Sequence, residues 1–116
     1  MNKKELYLKL DDEVFIEKTL QQLQREFLKV GLDYSYTMIF GYQELLKKLS
    51  DDLTLLFEQE QQLFKQLLYG IDLPEKEVST ILLTSAQPML DLADLVAIRC
   101  AEKVYLRMVF SRGENI

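Results

Sequence analysis

The sequence predicts an all-α fold, a small bundle of about four helices, on three observations. Apolar residues recur at helical spacing, glycine and proline are scarce (four and two), and those few stand where helices would start or stop. Helices are expected at about 12–30, 42–69, 74–86 and 87–111, with minor extended or β segments at 5–10 and 34–40. With 116 residues the chain suits one domain spanning 1–116. Its hydrophobic share of 48% against 28% charged is the balance of a folding, soluble chain.

The first segment, ELYLKL, alternates polar and apolar residues, which is a strand-like period. From Asp12 the period changes: Ile16, Leu20, Leu23, Phe27 and Val30 share one face, and Glu13, Lys18, Gln21, Arg25 and Lys29 lie largely elsewhere. VGLD at 30–33 then reads as a stop, with Gly31 left-handed, Leu32 folding back and Asp33 available as a cap. YGID at 69–72 repeats that chemistry, so Gly70 is expected to end the next helix. Between them, YSYTMIF at 34–40 alternates and suggests an extended piece.

The second helix carries the feature that most needs explaining. Its seam runs Tyr42, Leu46, Leu49, Leu53, Leu56, position 60, Leu63 and Leu67, in steps of four and three. Nothing interrupts that phase, so one helix of roughly 42 Å at about 1.5 Å per residue is expected, with a break at Ser50 as the alternative. Position 60 is a glutamate. A lone buried carboxylate costs several kcal/mol, so Glu60 calls for a partner across the core, Arg107 first and Arg99 second, and Glu60 with Arg107 is the candidate core ion pair. Otherwise the seam opens there and Phe57 and Phe64 cover the gap, or Glu60 serves a functional polar pocket.

After Gly70, DLPE offers Asp72 as cap, Pro74 in the first turn and Glu75 three residues after the cap. Pro88 suits the first turn of a final helix. That helix is apolar nearly all round: Met89, Ala93, Val96, Ala97, Cys100, Ala101, Val104 and Met108 form one face, and Leu92, Leu95, Ile98, Leu106, Val109 and Phe110 occupy others. Such a helix is either the centre of the bundle or part of a subunit interface, with Leu92, Leu95, Leu106, Val109 and Phe110 as candidate interface residues.

Composition restricts the chemistry. There is no histidine, one cysteine and no glycine-rich loop before a helix, so histidine-based triads, zinc sites and phosphate-binding loops are all disfavoured. Cys100, among alanines and valines, reads as a small buried hydrophobe. Asp91 and Asp94 suit the first turns of their helix, where negative charge meets the positive dipole end. No cofactor is expected. Between residues 10 and 98 the chain carries 16 acids against seven bases, which disfavours nucleic acid, and no apolar run is long enough for a membrane span. Without a continuous apolar segment near residue 1, a cytoplasmic location is expected. Arg99, Lys103 and the more distal Arg112 are candidate contacts for an anion or an acidic partner; a basic strip that solvates an apolar helix is the plainer reading.

Two functions therefore stand at this level. One is a non-catalytic helical interaction or adaptor protein, self-associating as a dimer or binding another protein. The alternative is a Mg²⁺-dependent helical-bundle hydrolase acting on a nucleotide or phosphoester through carboxylates.

Overall fold

A computed structural model describes residues 1–111. It is all-helical and packs as a bundle, with six helices among the described residues: α1 (Lys3–Lys9), α2 (Glu13–Lys29), α3 (Tyr42–Gln59), α4 (Gln61–Ile71), α5 (Glu75–Thr84) and α6 (Pro88–Ser111). All five other helices pack against α6, which is the centre of the bundle. Its small residues explain why: Ala93, Ala97, Cys100 and Ala101 are fully buried and let neighbouring backbones approach closely. No helix of the described residues is long and apolar enough to cross a membrane.

The expected face of α2 is the buried one. Leu23 and Phe27 are completely enclosed, and Ile16 and Leu20 nearly so. Asp12 caps this helix, accepting from the Val14 and Phe15 amides at 2.8 and 3.1 Å. Gly31 ends it at φ +82°, in the left-handed region, while the Leu32 amide returns to the Phe27 carbonyl at 3.0 Å.

Four local expectations are corrected. Residues 5–10 are not extended: α1 covers Lys3–Lys9, capped by Asn2, and buries Leu6 and Leu10 one turn apart while Leu8 faces solvent. The alternation of three leucines concealed a helical pair. Residues 34–40 form no strand; they run as a connecting segment with Tyr36 buried and Met38 at a left-handed φ of 61°. Gly70 does not stop its helix but lies inside α4, because Ile71 must still reach the core. Asp72 takes the left-handed position instead, at φ 65°, a conformation that aspartate tolerates better than most side chains, and it caps nothing in α5.

The long seam helix is likewise two helices, and the break falls at Glu60 rather than Ser50. Glu60 alone leaves helical geometry (φ −141°, ψ 63°), yet its amide still bonds the Leu56 carbonyl at 2.8 Å and its carbonyl accepts from the Phe64 amide at 3.0 Å. A straight continuation would bury Glu60 and Leu63 between Leu56 and Leu67; with the break Phe64 is buried, Leu63 is only partly so, and Glu60 stands in solvent. Stranding a carboxylate in the core costs several kcal/mol, so a one-residue joint is the cheaper solution.

Candidate functional site: a groove at the Glu60 joint and a polar seam along α6

Concave surface lies beside the joint. Phe57 at the end of α3 meets Phe64 of α4 edge-on at 5.3 Å between ring centroids. Beyond them, α4 and α5 diverge around a groove of about 510 Å³ whose apolar lining includes Phe57, Phe64, Leu68, Tyr69, Val78 and Leu82. Helix α5 contributes no fully buried residue, so it leans on the bundle without closing over α4. Polar groups are confined to a few positions: Gln61, Lys65, Asp72, Glu75 and Ser79. Tyr69 is 85% exposed and Leu83, following the lining on α5, is 84% exposed. Exposed apolar side chains thus stand beside an apolar recess.

Glu60 and Arg107 are not brought together. Arg107 lies on α6 and donates to Gln22 Oε1, while Glu60 stands in solvent at the joint. A buried ion pair does exist, between residues that helical periodicity did not match. Glu26 of α2 is 1% exposed in its side chain and accepts from Lys103 at 2.6 Å, from Gln22 at 2.9 Å and from Lys29 at 3.1 Å. Burial pushes its carboxyl upward, but the hydrogen bonds from Lys103, Gln22 and Lys29 outweigh that and hold it below its ordinary value. The signal was present in Thr19, Gln22 and Glu26, three polar residues at spacings of three and four along the border of the apolar face, all of them buried.

The basic ladder of α6 is engaged by groups of this chain, with Arg99 and Lys103 half-buried and Arg107 exposed. Arg99 bonds Glu102 and reaches the Asp72 carboxylate at 3.5 Å, Lys103 holds Glu26, and Arg107 holds Gln22. Arg112 lies outside the described residues. Of the candidate interface set, Leu92 and Leu95 are buried within the chain and so present no surface; Val109 is half-buried, and Leu106 and Phe110 are exposed.

Two tyrosine–aspartate clusters were not visible in the spacing. Asp94, expected only to complement the helix dipole, accepts from both Tyr7 and Tyr42, and so ties α1 and α3 to α6. Asp52 accepts from Tyr36 at 2.6 Å and from Lys48 at 3.0 Å, with the Lys48 ammonium 4.4 Å from the Tyr36 ring centre. Burial first, and then the bond to aspartate, raise the Tyr36 and Tyr42 phenols far above their usual range, so they act as hydrogen-bond donors and not as bases. Asp91 accepts from Ser85, whose hydroxyl oxygen in turn accepts from the Gln87 amide at the start of α6. Cys100 is fully buried, which pushes its thiol up to about 12. Among the described residues no three of the cysteines, aspartates and glutamates stand close enough together to hold a metal ion.

No family model, curated protein or solved structure matches this chain.

Proposed function

We propose that this chain is a single-domain, non-catalytic interaction protein that self-associates through the α4–α5 face and works in the cytoplasm. The observation that carries the reading is the apolar groove at the Glu60 joint, flanked by Tyr69 and Leu83 in solvent. A two-fold pairing places the same patch of each copy against the other, so the aromatic and leucine side chains of one copy enter the groove of the next. The cations Arg99 and Lys103 of α6 support the same reading, since each is paired with a carboxylate of this chain.

Sedimentation equilibrium at micromolar concentration tests this. The wild-type chain is expected to run as a dimer, and the double variant Tyr69→Ser, Leu82→Asp, altered only at exposed positions, as a folded monomer. A wild-type chain that stays strictly monomeric, or a variant that dimerises equally well, overturns the proposal. Cell fractionation of the tagged chain tests the location.

A further inference from the structure

The border between α2 and α6 gathers exposed cations in a protein of net charge −5. The two helices run antiparallel there, as the pairing of Glu26 with Lys103 and of Gln22 with Arg107 shows. Lys18, Arg25 and Lys29, at spacings of seven and four, share a strip of α2, and Arg107 adjoins it from α6. At its middle, two guanidinium groups converge on a neutral atom: Gln22 Oε1 accepts from Arg107 and, at 3.5 Å, from Arg25. Like charges are normally kept apart or separated by a carboxylate. Here the nearest acid, Glu26, is already saturated by Lys103, Lys29 and Gln22, and neither Arg25 nor Arg107 forms an ion pair among the described residues. The strip also has apolar shoulders, Leu28 on α2 and Leu106 and Phe110 on α6, all exposed.

We infer that this strip docks an acidic amphipathic helix of a partner protein, whose carboxylates bridge Arg25 and Arg107 while its apolar residues cover Leu28, Leu106 and Phe110. Charge complementarity supplies the first half, because paired guanidiniums present fork-shaped donors that match carboxylates. The shoulders supply the second. A phosphate backbone would leave those apolar groups in water and would meet repulsion from the chain's net charge of −5, whereas an amphipathic acidic segment satisfies both. From Lys18 to Lys29 the strip is about 16 Å long at 1.5 Å per residue, the reach of about three helical turns. This surface is distinct from the groove of the self-association reading and does not depend on it.

The test uses a fluorescently labelled designed peptide of about 18 residues, with leucines on one helical face and glutamates along its borders, titrated by anisotropy at low salt. Binding is expected, weakening steeply as salt rises. Arg25→Gln with Arg107→Gln is expected to weaken it at least tenfold, and Lys47→Gln, a basic position on α3, to leave it unchanged. Should the double variant melt early, Arg25→Gln alone, at an exposed site with one long hydrogen bond, is expected to give a smaller loss in the same direction. The groove variant Tyr69→Ser, Leu82→Asp is expected to bind the peptide normally, so that failure of one proposal is distinguishable from failure of the other. Absence of binding, equal binding by the arginine variants, equal binding by a leucine-free glutamate peptide, or equal binding by single-stranded RNA of the same charge would each overturn the inference.

Discussion

The ammonium of Lys103 lies 2.6 Å from the carboxylate of Glu26, which is sealed from solvent between α2 and α6. Removing one partner strands the other. Lys103→Met is expected to destabilise the fold by about 2–4 kcal/mol, while Glu26→Leu combined with Lys103→Met costs much less or nothing, since a buried pair is often replaced by apolar packing without loss. Urea denaturation of the two singles and the double decides this; additive effects would show that the pair is uncoupled.

The same carboxylate makes stability depend on pH in a defined direction. Its folded pKa is held below the usual glutamate value, so near pH 4 the unfolded chain binds more protons than the folded one. The contribution is therefore fully present above the unfolded value of about 4.3 and is lost as pH falls through the folded value. Between pH 6 and 3 the urea midpoint of the wild type should fall more steeply than that of Glu26→Gln. Parallel curves would refute the assignment.

Glu60 and Arg107 should behave as strangers. Glu60→Leu and Arg107→Met are expected to add within about 0.5 kcal/mol in the double variant, because the two side chains occupy different surroundings. Glu60→Leu alone removes the charge that the joint keeps out of the core and should leave stability unchanged or raise it, whereas Leu56→Ala in the core should cost about 2–4 kcal/mol.

Tyr36 fastens the connection between α2 and α3. Its hydroxyl donates to Asp52, its amide donates to Gln24 at 2.6 Å, and its ring lies 5.6 Å from that of Phe27. Tyr36→Phe removes the hydroxyl alone and is expected to cost about 1–2 kcal/mol. Limited proteolysis should then cut more quickly between Leu32 and Gly41; an unchanged cleavage rate would mean that ring packing holds the segment unaided.

Cys100 should be silent toward thiol reagents. With the thiol buried and pushed up to about 12, almost no thiolate exists at neutral pH. Labelling by a disulfide reagent should follow the rate of global opening and become immediate in denaturant. Rapid labelling of the native chain would contradict the packing of α6.

What the sequence disclosed, and what it hid, follows from the range of the forces involved. The apolar face of α2 was legible because repeated spacing is a property of a single element, and the small side chains of α6 narrowed it to the centre of the bundle or a subunit interface, of which the packing shows the first. Gly70 misled because the same glycine chemistry serves as a stop at Gly31, and only the demand of the core for Ile71 distinguishes the two. Glu60 was correctly singled out as anomalous on its seam, but the fold answers by bending the helix rather than by supplying an arginine. The pair that does register two helices, Glu26 with Lys103, spans 77 residues of sequence, so the polar border Thr19, Gln22 and Glu26 of α2 could hint at a buried carboxylate but not name its partner. The groove was illegible for a related reason: it is bounded by the angle between α4 and α5, which no single helix encodes.

A continuous rod through residues 42–71 would show solvent nothing but convex flank. Articulated at Glu60, it acquires an elbow, and Phe57 on one arm with Phe64 and Leu68 on the other line the groove that α5 completes. The bend between those arms is thus set by a side chain that takes no part in lining the groove, a charge turned away from the interior.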